Sequence, residues 1–177
     1  MIAKQTKLNG AYVIEPERFE DERGFFARAW SAKELSALGA VGQFVEANFA
    51  YNHKRGTLRG LHWQAAPHEQ AKLVRCTRGS IFDVAVDLRP ESETYGQWTS
   101  VELSAENRLL FYVPDGFAHG YLTLEDDSEV LYLVTSDFAP ASGRGARWND
   151  PALAIRWPDV GELIINERDN SYPDFRL

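Results

Sequence analysis

Lys72-Leu73-Val74-Arg75-Cys76-Thr77-Arg78-Gly79-Ser80-Ile81-Phe82-Asp83-Val84-Ala85-Val86-Asp87-Leu88 reads as strand, tight turn, strand. β-prone residues flank the Arg78-Gly79 dipeptide, and glycine there supplies the backbone freedom that a tight turn needs. The same grammar extends outward in both directions. Strands are expected over 44–49, 58–63, 72–77, 81–88, 99–103, 109–113, 120–124 and 130–135. Pro90 to Ser92, Pro114-Asp115-Gly116 and Glu125-Asp126-Asp127 separate some of them as loops. Eight strands in roughly ninety residues make the chain all-β. A double-sheet jelly-roll barrel accommodates that count, with its ligand site between the sheets or at the barrel mouth.

Before this block, Val13-Ile14 and Gly24-Phe25-Phe26 read as short strands separated by a polar turn at Glu20-Asp21-Glu22-Arg23. A short helix follows. Ser31 and Glu34 have the spacing of a capping box, Trp30 and Leu35 that of a hydrophobic staple, and Gly39 stands where a glycine ends about two turns. From Pro140 onward the chain is rich in turn residues, including Trp148-Asn149-Asp150-Pro151 and Trp157-Pro158, and is expected to wrap the barrel.

With 177 residues, 44% of them hydrophobic, the chain has the size of a single domain, 1–177, with a real core. No apolar run approaches a membrane span, and the charged first twenty residues lack the apolar segment of a signal peptide. A cytoplasmic location is therefore expected. A net charge of −7 argues against nonspecific nucleic-acid binding. It does not argue against a small anionic ligand, which needs only a few local arginines such as Arg23, Arg28, Arg55 and Arg59. Cys76, the only cysteine, lies in a strand-like run and reads as a small buried hydrophobe.

The candidate chemistry lies on the strands. His62 sits in the alternating stretch 58–64 with Gly60 on the same face, where a small neighbour leaves room beside the imidazole. Taken alone, it reads more readily as a satisfied core or surface histidine than as a base. Lys72 opens a strand with apolar neighbours, so its amine either enters a cleft or snorkels to solvent. Tyr132 shares a strand face with Val130 and Val134, as packing tyrosines do. His119 follows the turn at 114–116, a position typical of a barrel rim. Asp169 lies in the polar Glu167-Arg168-Asp169-Asn170 run, and spacing alone makes it a solvated turn charge. A metal-binding barrel of this size would carry a paired imidazole where Gln64 stands, so no metal or other cofactor is expected.

Together these segments resemble the dTDP-4-dehydrorhamnose 3,5-epimerase family of metal-free cupins, over about residues 10–175. The resemblance is carried by Val13-Ile14-Glu15-Pro16, Asp21-Glu22-Arg23-Gly24-Phe25-Phe26, Leu58-Arg59-Gly60-Leu61-His62-Trp63-Gln64, Lys72-Leu73-Val74-Arg75, residues 83–89, Pro114-Asp115-Gly116-Phe117-Ala118-His119-Gly120 and Trp148-Asn149-Asp150-Pro151. It implies a double-stranded β-helix with a few short helices, and a homodimer that exchanges N-terminal strands, so that Arg23 and Phe26 complete the partner's site. The substrate implied is a nucleotide-linked 4-keto-6-deoxyhexose, inverted at C3 and C5 through enolates in deoxysugar or polysaccharide biosynthesis. By the same resemblance His62 is the base, Asp169 its hydrogen-bonding partner, Lys72 the enolate stabiliser and Tyr132 the acid on the opposite face. Arg59, His119 and Asn48 are substrate contacts.

Three positions depart from the family pattern. Arg28 stands where an acidic residue is common, Phe138-Ala139 replaces an aromatic pair, and Gly143 stands where Glu is frequent. They bear on which nucleotide sugar is taken and how many centres are inverted, leaving a C3-only epimerase or another nucleotide sugar as alternatives. A cupin that binds a sugar nucleotide without turnover is the reading from a different class.

Overall fold

A computed structural model describes residues 1–176. Its strands are β1 (Ile2–Gln5), β2 (Tyr12–Glu15), β3 (Arg18–Asp21), β4 (Gly24–Ala27), β5 (Glu46–Asn52), β6 (Leu58–Gln64), β7 (Lys72–Arg78), β8 (Ser80–Asp87), β9 (Trp98–Ser104), β10 (Leu110–Val113), β11 (Phe117–Thr123), β12 (Ser128–Val134) and β13 (Gly143–Gly145). Two short helices, α1 (Ala32–Ala37) and α2 (Glu167–Asn170), complete the fold with one 3-10 turn. The strands form a six-stranded sheet in the order β1-β2-β10-β7-β12-β5 and a five-stranded sheet in the order β13-β6-β11-β8-β9, with β3 and β4 as a separate hairpin. All-β architecture and the sandwich of a cupin-like jelly roll follow as expected.

Alternation decides what each strand puts inside. Val74 and Cys76 of β7, Phe111 and Val113 of β10 and Val130 of β12 meet Ile81 and Ala85 of β8, Leu103 of β9 and Phe117 and Tyr121 of β11 in one buried cluster between the sheets. Those residues plug the interior between the sheets. Cys76 belongs to that plug, and burial pushes its thiol up to about 11. The outer face of the five-stranded sheet is covered by the C-terminal segment, where Ala146, Leu153, Trp157 and Phe175 pack on Leu61, Val84, Val86 and Ala118. On the six-stranded sheet, Leu35 of α1 packs with Ile14, Leu73, Leu110 and Tyr112.

Several expected boundaries move. Glu20 and Asp21 belong to β3, so the turn before β4 is the Glu22-Arg23 pair alone. With every residue of β3 exposed, no alternation marks it in the sequence. β1 and β13 were likewise unmarked, the first being largely exposed and the second only three residues long. β5 begins at Glu46 and runs to Asn52. Ser31 caps α1 by accepting the Glu34 amide at 3.3 Å, but the Glu34 carboxylate reaches Arg28 at 2.8 Å, so only half of the capping box forms. Trp30 packs on Phe44. Among the described residues no helix is long and apolar enough to cross a membrane.

Candidate active site

The polar end of the barrel is a cleft of about 180 Å³ lined by Arg59, His62, Lys72, His119, Tyr132 and Asp169, together with Ala50, Tyr121 and Asn166. A second lobe of about 190 Å³ shares His62, Lys72 and Tyr132 and extends past Phe138, Gly143, Arg144 and Arg168. Six of the nine residues singled out in the sequence thus meet in one place.

His62 Nε2 lies 2.7 Å from Asp169 Oδ1. Asp169 is 1% exposed, not a solvated charge, and its other oxygen accepts the Gly60 amide at 3.1 Å. Asn166 caps α2, accepting the Asp169 amide at 2.7 Å, and so fixes the backbone that presents this carboxylate. Burial by itself would raise the Asp169 pKa, but the His62 hydrogen bond and charge, the Gly60 amide and Arg168 outweigh it and hold the carboxyl below its usual range. An ionised Asp169 only accepts, so Nε2 carries the hydrogen and Nδ1 is left as the basic nitrogen.

Gly60 acts differently from the sequence reading. Its φ is +117°, and a Cβ there would stand 2.6 Å from the Gly120 Cα, so its smallness admits the neighbouring backbone and not the imidazole. The β6–β11 register also shifts at this point, with His119 opposite His62 but Tyr121 opposite Arg59. That irregularity puts Arg59 and His62, three residues apart, on the same inner face, which strict alternation forbids. Arg59 is braced by Asn52, whose Oδ1 accepts from its Nε at 2.9 Å.

Lys72 enters the cleft from β7, and no hydrogen bond or ion pair among the described residues involves its Nζ. Burial pushes its pKa down to about 8, with the Asp83 charge opposing the fall. Tyr132 faces inward from β12; burial raises its pKa against the pull of Arg59, so the phenol keeps its proton. Asn48 lies directly across from Tyr132 in the β5–β12 register. His119 is within β11 and only 8% exposed, not at a rim, because the chain re-enters the sheet immediately after Gly116. Its Nε2 lies 2.7 Å from Asp83 Oδ1, a pairing the sequence reading missed. Gln64 spends its amide on the backbone of His68, Asp137 and Ala139. Arg23 and Phe26 stand apart, on the β3–β4 hairpin, where Phe26 is 71% exposed.

A carboxylate-held imidazole, a phenol and an uncompensated ammonium around one cleft form a proton-transfer site with a place for negative charge. The sequence profile described as dTDP-4-dehydrorhamnose 3,5-epimerase matches residues 5–176. The chain belongs to that family. A dTDP-4-dehydrorhamnose 3,5-epimerase from Methanothermobacter thermautotrophicus is 47% identical over 174 residues, which span 97% of this chain and 93% of the relative. The crystal structure of the dTDP-4-dehydrorhamnose 3,5-epimerase from Elizabethkingia anophelis superposes with a TM-score of 0.95 at 42% identity, covering 99% of this chain and 96% of the other. A dTDP-6-deoxy-D-glucose-3,5-epimerase from Legionella pneumophila, solved in complex with dTDP-4-keto-L-rhamnose, gives 0.88 at 40% identity, covering 95% and 89%. Within this family of epimerases, Arg28 of this chain is paired with Glu34.

Proposed function

We propose that the protein epimerises a nucleotide-linked 4-keto-6-deoxyhexose of the dTDP-4-dehydro-6-deoxyglucose type, inverting C3 and C5 in the cytoplasmic synthesis of a deoxysugar. The observation that carries this reading is the His62–Asp169 pair at 2.7 Å beside an ammonium without a partner. The C4 carbonyl acidifies the hydrogens on C3 and C5. His62 Nδ1 removes one of them, the C–H electrons pass into a C–C double bond, and the carbonyl electrons move to O4. Asp169 stabilises the imidazolium that forms. Lys72 donates to O4 in a cleft where that contact is stronger than in water, and Tyr132 returns a proton to the carbon from the opposite face as the carbonyl re-forms. Solvent then carries the proton from His62 back to the phenolate of Tyr132. Arg59 takes the diphosphate, and His119 and Asn48 contact the sugar.

Arg23 and Phe26 are assigned to the neighbouring subunit's site in a homodimer, an assignment supported by their exposure on a hairpin away from their own cleft. The test is incubation with dTDP-4-keto-6-deoxyglucose in D2O, followed by NMR. Deuterium with inversion at both carbons is expected in the parent protein and none in His62→Ala. Label at C3 alone makes it a C3-epimerase. No label directs attention to another nucleotide sugar or to a binding role, and full exchange in His62→Ala overturns the assignment of the base.

A further inference from the structure

A second carboxylate–imidazole pair stands beside the first. His119 faces His62 across the β6–β11 register and is held by Asp83 Oδ1. Asp83 is fully buried at the centre of β8, flanked in register by Tyr121 on one side and Val101 on the other. Its second oxygen, Oδ2, is buried with no hydrogen-bond partner among the described residues. A carboxylate oxygen left bare in a closed interior is costly unless a nearby cation balances it.

Lys72 has the complementary problem, a part-buried ammonium in the cleft with no hydrogen-bond or ion-pair partner among the described residues. The groups facing it around the cleft and its second lobe are Arg59 and His62 on β6, His119 and Tyr121 on β11, Tyr132 on β12, Arg144 on β13, and Arg168 and Asp169 on α2. Asp169 spends its two oxygens on His62 and Gly60, and Arg59 is itself cationic. Among the described residues, Asp83 is the charge that supports the protonated amine against its burial.

We infer that Asp83 is a positioning residue for the reaction, fixing the tautomer of His119 through Oδ1 and holding the Lys72 ammonium charged through the unshared charge on Oδ2. Because Asp83 makes no hydrogen bond to Nζ, it supports the proton without occupying the donors that the enolate oxygen needs. The placement stands on geometry, since His119, held by Asp83, and Tyr121, opposite Asp83 in register, line the same cleft as Lys72; its catalytic consequence rests on the epimerase reading.

Asp83→Asn tests this. The amide keeps the shape and can still accept from His119, but carries no charge. Lys72 is followed in protein labelled with 13C at lysine Cε, its signal assigned by loss in Lys72→Met. The expected result is a midpoint near 8 in the parent and a fall of about one unit or more in Asp83→Asn, the size of effect an opposite charge a few ångströms away produces. The alkaline limb of kcat/KM should move acidward by the same amount, which a merely structural loss would not do. An unmoved Lys72 midpoint overturns the inference. Should Asp83→Asn not fold, the parent protein decides: the Asp83 13Cγ shift must show an inflection at the Lys72 midpoint, and its absence overturns the inference equally. The NMR titration uses no substrate. A moved midpoint in a protein that exchanges no sugar protons would therefore defeat the epimerase reading and leave the Asp83–Lys72 pairing standing.

Discussion

Gly60 and Gly120 cross so closely that a Cβ on Gly60 would lie 2.6 Å from the Gly120 Cα and 2.8 Å from the His119 carbonyl oxygen. The same Gly60 donates its amide to Asp169, so the crossing that admits no side chain also locates the carboxylate behind His62. Gly60→Ala must push two strands apart and place alanine at a φ of +117°. A loss of about 2–4 kcal/mol in unfolding free energy is expected from overpacking together with backbone strain. Proton exchange should fall further than stability alone explains. Chemical denaturation alongside solvent-exchange assays of the same variant checks both; an active, equally stable alanine variant would contradict the crossing.

Asp169→Asn preserves the shape of the pair and removes its charge. The amide oxygen can still accept from Nε2, but the imidazolium formed on proton abstraction loses its counter-charge. A fall in kcat of about 10²–10⁴ is expected, the usual contribution of a general acid–base group. Stability should change with pH in a defined direction. The folded-state pKa of Asp169 is depressed, so the carboxylate contributes stability above its unfolded value, and that contribution is lost as pH falls through the folded value. The Asn variant should therefore be less stable than the parent at neutral pH, with the gap closing in acid.

Lys72 carries the opposite linkage. Its pKa falls from 10.5 to about 8 on folding, so between those values the unfolded chain holds a proton that the folded chain has shed. Stability attributable to Lys72 rises with pH across that window, by about 3 kcal/mol. Subtracting the pH–stability curve of Lys72→Met from that of the parent isolates the effect. A flat difference from pH 8 to 10.5 would show that the amine is not desolvated. The same variant should lose nearly all turnover, since methionine cannot donate to an enolate oxygen.

The hairpin assignment has a test of its own. If Arg23 serves the neighbouring site, His62→Ala and Arg23→Ala subunits are each poorly active alone, yet a mixed dimer pairs one intact cleft with one intact arginine. Random mixing makes half of the dimers mixed, with one good site of two, so activity should recover to about a quarter of the parent's. A mixture no better than the average of its components would place Arg23 in its own subunit's chemistry.

Strand alternation made much of this site legible. Lys72 shares an inner face with Val74 and Cys76, and Tyr132 shares one with Val130, because period-2 runs bounded by turns fix which side is buried. Asp83 was also visible in principle, as a charged residue at an interior position of an apolar strand that therefore needed a partner. Asp169 was not. It reaches His62 across 107 residues from a four-residue helix of polar composition, and nothing local distinguishes it from a solvated turn; only the family resemblance pointed there. Arg59 eluded alternation for a different reason, because the register shift at Gly60 reverses the face of everything before it. β1 and β3 were hidden by exposure, since a strand that buries little carries little pattern.

Tyr132→Phe separates abstraction from inversion. The ring keeps its packing on the inner face of β12, and the proton on its oxygen, held in place by burial, is lost with the oxygen. His62 can still remove a hydrogen and, as the imidazolium already placed at that carbon, return a solvent-derived deuteron to the same face. Deuterium should therefore enter the sugar of the substrate without change of configuration, while inverted product falls by about 10²–10⁴. The measurement is one NMR time course in D2O, reading label and stereochemistry together. Inversion at an undiminished rate would remove Tyr132 from the role of acid. Loss of labelling and inversion together would mean that the phenol is needed earlier, at enolate formation, and that Lys72 does not carry the O4 charge alone.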